Sequence, residues 1–394
     1  MDLILSHNEE LRNLPKAPGN NKLVSPYIQK DVVKCFKQEV LECIFKEIGD
    51  DVFALLVDES SDVSKKEQMA IVLRYVDEHG LVKERFVGLV HVKDTSSLSL
   101  KCSIDSFFSK HKVSMNQLRG QGYDGASNMR GLTNILSQAL QRKDQDINEA
   151  VQLVEVTKEK LQDLRTNGFE QLLEKVSSFC EKHGIRILKM DEDCFNSRRQ
   201  KEKITNQHYY EVECFNTVLD MQIQKFGDRF SEASTELLSC MAALHPRDSF
   251  SMFDSPKLIR LCEFYPKDFS RTEIIELKDQ LEVYHLSVRK DPRFANLNGI
   301  ADLARVMVET RKYLSYPLLY RLLKLALVLP VATATVERCF SAMKIVKSNL
   351  RNRIGEEFLN ACVICAVERE ALAKVKDEDV LQRFQNMRLR RRKV

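Results

Sequence analysis

Residues 52–92, VFALLVDESSDVSKKEQMAIVLRYVDEHGLVKERFVGLVHV, hold three apolar, β-rich runs separated by polar breaks. The first, VFALLVDESSD, is apolar up to Asp58 and then acidic and hydroxylic, as a buried strand running out into a loop would be. The rest splits at Glu78, His79 and Gly80 into two runs close enough in sequence to pair as an antiparallel hairpin. Downstream, SLSLKCSIDSFFSKHK sets Leu98, Cys102, Ile104, Phe107 and Phe108 near helical spacing, and LRGQGYDGASNM gives a brief strand that breaks at Gly122 and Gly125. The predicted order is β-β-β-α-β.

Beyond Asn128 the period becomes helical. Ile147, Val154 and Leu161 recur at heptad spacing, Leu164 extends the stripe, and Gly168 and Gly184 are predicted breaks. A packed helical hairpin is favoured over a coiled-coil dimer, which needs at least three to four heptads. The polar stretch DEDCFNSRRQKEKITNQ reads as an exposed loop, and further helical segments run from His208 to Leu297. Pro317 starts a helix, LLYRLLKLALVL, that stops before Pro330. A second helix follows, with Val336, Phe340, Met343, Val346 and Leu350 on one face and LRNRIG at its end, and a third begins near Glu356. These helices carry more apolar surface than a short segment buries alone, which predicts a partner surface. The residues offered for that surface are Leu319, Leu322, Leu323, Phe340, Met343, Leu350, Phe358 and Leu359.

A length of 394 residues suggests two or three units, and 43% hydrophobic with 30% charged residues supports a sizeable core under a polar surface. Few Gly (13) and Pro (9) favour long helices over a turn-rich β fold. A formal charge of +4 is too even to mark the whole chain as a nucleic-acid binder, so any basic signal is local. No run approaches the ~18 apolar residues of a membrane span. The eleven cysteines are expected as reduced thiols, and Cys362 and Cys365, a lone C-x-x-C in a helical run, as core rather than metal ligands. Phosphate-binding, nucleophile-elbow and dinucleotide motifs are absent, which removes support for ATPase, hydrolase and dehydrogenase readings.

Three acids stand where chemistry is expected. Asp58 and Asp124 end strand-like runs, and strand ends hold carboxylates rigidly enough to fix divalent metals; Glu337 opens the helix VERCFSAMKIV. The plainer readings stay open: strand-end hydrogen-bond acceptors for the two aspartates, and for Glu337 a first-turn acid complementing the helix dipole. At the carboxyl end, Arg388, Arg390, Arg391, Arg392 and Lys393 form a cluster suited either to nuclear import or phosphate contact, or to plain solvation.

LLVDESSD, GYDGASNM and the tail YPLLYRLLKLALVLPVATATVERCFSAMKIVKSNLRNRIG resemble hAT-type transposases and their domesticated, zinc-finger MYM-type-like relatives, over Val24 to about Glu370. The resemblance implies an RNase H-like core in which Asp58, Asp124 and Glu337 hold Mg²⁺ for strand cleavage and transfer, and a carboxy-terminal dimerisation region. The chain departs from that pattern after Gly131, where the family's Cys/His strand and Trp-bearing insertion do not appear, and at the amino end, where no paired Cys/His zinc-finger module is visible. The expected class is therefore α/β plus α, a partial RNase H-like core with helical additions. Expected divisions are a lead-in over 1–50, the partial core over 51–131, a helical insertion over 132–300, a dimerisation region over 301–372 and a basic tail over 373–394. The expected function is that of a domesticated or decayed, dimerising protein, nuclear or otherwise cytoplasmic, paired with itself or a related chain, with nonspecific nucleic-acid contact and no membrane association. The alternative is an active Mg-dependent DDE-type transposase or nuclease.

Overall fold

The computed structural model describes residues 25–92, 97–123, 147–194, 204–229, 232–246, 250–329 and 334–387. In chain order these form helix α1 (Pro26–Ile48), strands β1 (Phe53–Ser61), β2 (Glu67–Val76) and β3 (Val82–His91), helix α2 (Ser97–His111) and strand β4 (Leu118–Tyr123). Helices then follow: α3 (Ile147–Lys182), α4 (Thr217–Arg229), α5 (Glu232–Ala242), α6 (Ser255–Glu263), α7 (Arg271–Arg289), α8 (Ile300–Glu309), α9 (Pro317–Val328), α10 (Ala334–Val346), α11 (Glu356–Val367), α12 (Arg369–Ala373) and α13 (Asp377–Asn386). The chain divides into two compact units, one of Met1–Tyr75, Lys83–Tyr123 and Thr335–Val394, the other of Val76–Val82 and Asp124–Ala334.

In the first unit the four strands lie in the order β3-β2-β1-β4. β1 runs antiparallel to β2, from Phe53 opposite Tyr75 to Ser61 opposite Glu67, and parallel to β4. A parallel pair needs a crossover, and α2 supplies it. Phe108 of α2 stacks on Phe53 of β1 with centroids 5.9 Å apart, which pins the crossover helix to one face of the sheet. β1 and β2 are apolar on both faces because both are covered, which explains the unbroken run FALLV. One core joins α1 (Val40, Leu41, Ile44), the strands, α2 (Ile104, Phe107, Phe108), α10 (Val336, Cys339, Phe340, Met343) and α11 (Leu359, Val363, Ile364). The boundary between the units thus falls within the expected 301–372 division: α9 belongs to the second unit, and α10 to α12 complete the core of the first.

The second unit is helical. Leu258, Leu261, Leu277, Leu281, Tyr284, Leu303, Met307, Leu319, Leu322 and Leu323 are buried in it. α3 runs unbroken through Gly168, contrary to the predicted break and hairpin. A Cβ at Gly168 would lie 2.5 Å from Leu164 Cδ1 and 3.3 Å from Phe215 Cζ, so this glycine serves close packing, not chain reversal. Val154 and Leu161 pack instead with Leu219 and Phe226 of α4, and Arg165 bridges to Asp220 at 2.8 Å. Residues 76–82 also belong to this unit. There the Asp77 carboxylate accepts N–H bonds from His79 (3.0 Å) and Leu81 (2.8 Å), fixing the β2–β3 turn. Gly80 has φ +75°, and a Cβ on it would stand 2.8 Å from the Ala304 carbonyl oxygen. No described helix is long and apolar enough to cross a membrane.

Candidate functional site

Strand alternation divides β1 into Phe53, Leu55 and Val57 on the α2 face and Ala54, Leu56 and Asp58 on the other. Asp58 is half-buried, and its Oδ1 accepts the Glu59 N–H at 2.8 Å. α10 lies along the Asp58 face. At its start the Thr335 hydroxyl donates to the Glu84 carboxylate, which also pairs with Arg74 at 2.6 Å, and Arg74 stands opposite Ala54 near the beginning of β1. Just past its end, Lys347 reaches Asp62, beyond the end of β1. The helix therefore runs in the same sense as β1, and Glu337 falls toward the start of the strand while Asp58 falls toward its end. Val336, Cys339, Phe340 and Met343 face the sheet, so 3.6-residue periodicity turns Glu337 outward, where it is exposed. Asp124 lies outside the described residues. Among the described residues no group of three or more acidic, His or Cys side chains is placed to hold a metal ion.

The acid that does engage the carboxy-terminal region is Asp62, at the end of the same LLVDESSD motif. Its Oδ2 lies 2.6 Å from Lys347 Nζ and accepts from Gln68 at 3.2 Å, while Oδ1 accepts the N–H groups of Ser64 (2.7 Å) and Lys66 (3.2 Å). The side chains of both ions are almost fully buried, 1% exposed for Asp62 and 2% for Lys347. Burial alone would push the Asp62 carboxyl up; the Lys347 ammonium and the two backbone donors outweigh it and hold the carboxyl below its ordinary value. Sequence offers a signal for this pair, since Lys347 continues the α10 apolar stripe of Val336, Phe340 and Met343. A lysine at such a position calls for a buried partner.

A second buried ion pair closes the β3 edge. Glu368, at the end of α11, accepts the Phe86 N–H at 2.7 Å and faces Arg85 Nη1 at 3.3 Å; Arg85 Nη2 also lies 3.0 Å from Glu370. Asn360 Oδ1 accepts the Leu89 N–H at 3.0 Å. Burial raises the Glu368 carboxyl above its ordinary value, against the pull of the Phe86 N–H and Arg85. The side chains of α11 thus satisfy edge donors that would otherwise offer a template to another strand.

Of the residues predicted to meet a partner, Leu319, Leu322 and Leu323 are buried in the second unit, and Phe340, Met343 and Leu359 in the first. The expectation that these six need an outside partner is corrected: the chain's own sheet and helices supply the cover that the sequence segment lacked. Phe358 is half-buried, and Leu350 remains 98% exposed, joined by Ile345 at 80%. Cys362 and Cys365 are half-buried free thiols, both raised by burial, Cys365 to about 12. Arg388, Arg390, Arg391, Arg392 and Lys393 lie outside the described residues, as does the RRQKEK stretch.

Comparison with known families matches both ends of this arrangement. Residues 1–134 match the ZMYM1/FAM200 RNase-like domain, and residues 309–371 match the hAT family C-terminal dimerisation region. The first match contains β1 to β4 and the second contains α9 to α11, so the first unit unites parts of both. Together with the DESSD and ERCFS motifs, these matches make the chain a hAT-derived, transposase-like protein.

Proposed function

We propose that this protein works as a dimerising, transposase-derived protein on a partial RNase H-like core, without strand-transfer activity. The observation that carries this reading is the exposure of Leu350 and Ile345 within the matched dimerisation region, whose other large apolar residues are mostly buried. Two large exposed side chains, Ile345 near the end of α10 and Leu350 in the turn that follows it, suit the centre of a self-complementary contact. The basic cluster from Arg388 to Lys393 would give nuclear import and weak, salt-sensitive contact with nucleic acid. The missing Cys/His strand and Trp-bearing insertion after Gly131 support the absence of metal-dependent cleavage, because two-metal chemistry needs carboxylates held rigidly a few ångströms apart.

Light scattering of the purified chain at tens of micromolar, a concentration suited to about −7 kcal/mol of association, tests the reading. A dimer is expected, and Leu350→Asp with Ile345→Asp should give a folded monomer. A strictly monomeric wild-type chain would sink the proposal. Mg²⁺-dependent cleavage of DNA that disappears in Asp58→Ala and Glu337→Ala would overturn its non-catalytic half.

A further inference from the structure

The turn that follows α10 forms a pocket of about 380 Å³ in the first unit, lined by Lys30 of α1, Leu350, Arg351, Asn352, Arg353 and Phe358 together with the backbone of the turn. Its electrostatics are one-sided. The acids that stand nearest in sequence are already neutralised: Glu356 pairs with Lys66 and Glu357 with Lys34, each at 2.6 Å. Lys30, Arg351 and Arg353 have no carboxylate partner among the described residues. Three cations therefore share one small concavity without a counter-charge.

The turn is also held from beneath. The Ser64 hydroxyl donates to the Asn352 carbonyl at 3.1 Å, and the Asp62–Lys347 pair anchors the chain three residues before Leu350. The cations thus stand on a fixed base, which lowers the ordering cost of binding. Phe358 forms an aromatic wall with Lys30 Nζ 5.8 Å from its ring centroid, and Leu350 forms an apolar rim.

We infer that this pocket binds single-stranded nucleic acid, with a phosphate held by Arg351 and Arg353 and a neighbouring base or sugar against Phe358. Guanidinium forks match phosphate oxygens in pairs, and an aromatic face beside a cationic groove is the arrangement that takes an unstacked base. A duplex keeps its bases stacked and would leave the concave apolar wall unfilled. The inference deepens the nucleic-acid part of the proposed function by adding a built site to the basic tail, and it does not depend on the dimer.

Fluorescence anisotropy of the full chain with a labelled oligo(dT) of about 15 nucleotides tests it, with far-ultraviolet circular dichroism and urea unfolding confirming that each variant is folded. Arg351→Ala with Arg353→Ala should raise Kd at least about tenfold and reduce the log–log salt slope by about 0.7, the share of one phosphate contact on a single strand. Phe358→Ala should weaken binding with the slope unchanged. Alanine substitution of Arg388, Arg390, Arg391, Arg392 and Lys393 removes the tail's share and should leave the pocket's share intact. The inference is overturned if the Arg351/Arg353 variant binds like wild type, if the tail variant abolishes all binding, or if a duplex of matched length binds more tightly than the single strand. It is equally overturned if the arginine substitutions dissociate the dimer in light scattering while oligonucleotide affinity is unchanged, since the patch is then an interface between copies.

Discussion

Lys347, just past the end of α10, occupies a place that hydrophobic periodicity assigns to an apolar residue, and its charge is tolerated because Asp62 lies 2.6 Å away. Removing one member of a buried pair strands the other, so Lys347→Met should cost about 3 kcal/mol in urea unfolding, toward the lower end for such pairs because Asp62 keeps its backbone donors. The Asp62 carboxyl is held below its unfolded value of 3.8, so its contribution is complete above pH 3.8 and lost as pH falls below that value. In Lys347→Met this acid-dependent part of stability should shrink. His111 behaves in a different range. Burial beside Phe107 (4.6 Å) and Phe45 (5.4 Å), with Lys37 and Lys110 close by, lowers its pKa from 6.5 to about 4. The unfolded chain then binds a proton that the folded chain refuses, so stability should decline as pH falls from 6.5 to about 4. His111→Phe should flatten the urea midpoint over that interval, and an unchanged slope would show that another group governs it.

At the scale of elements, strands were legible wherever an apolar run ended in polar residues, as FALLV ends in DESS. The β3-β2-β1-β4 order was not, because pairing depends on the crossover of α2 and on contacts remote in sequence. Gly168 misled because a glycine read alone signals a break, whereas here Leu164 and Phe215 occupy the space of its missing Cβ. The dimerisation stripe was legible as amphipathic, yet its cover was not, since local sequence contains no information about a sheet more than two hundred residues earlier. Gly80 carries two constraints at once, a positive φ and the Ala304 carbonyl at Cβ distance of 2.8 Å. Gly80→Ala should cost about 1–3 kcal/mol, visible as a lowered urea midpoint; a neutral result would mean that the β2–β3 turn shifts freely.

For the whole molecule, the matched dimerisation region is no detachable module. Its α10 and α11 contribute Val336, Phe340, Met343, Leu359 and Val363 to the same core as β1 and β2. A chain ending at residue 334 should therefore lose the cooperative unfolding transition of the sheet and expose apolar surface to a hydrophobic dye, while the isolated 309–371 segment should lack stable helix by circular dichroism. Two independently folded fragments would contradict this. The candidate metal site was readable only as residue types. Asp58 and Glu337 stand out in sequence, but the direction in which α10 crosses the sheet decides whether they meet, and its anchors at Glu84 and Asp62 are long-range pairings.

The seal on the β3 edge has a consequence in time. Phe86 and the Glu368 carboxylate that accepts its N–H are 282 residues apart. At about 5–20 residues per second on the ribosome, the strand precedes its cover by roughly 15–60 s, far longer than the microseconds in which a hairpin forms. During synthesis the newborn sheet presents an open edge and an uncovered apolar face, so holding chaperones have their longest opportunity to act before the final sixty residues emerge, and slow translation of the intervening helices would lengthen the exposure.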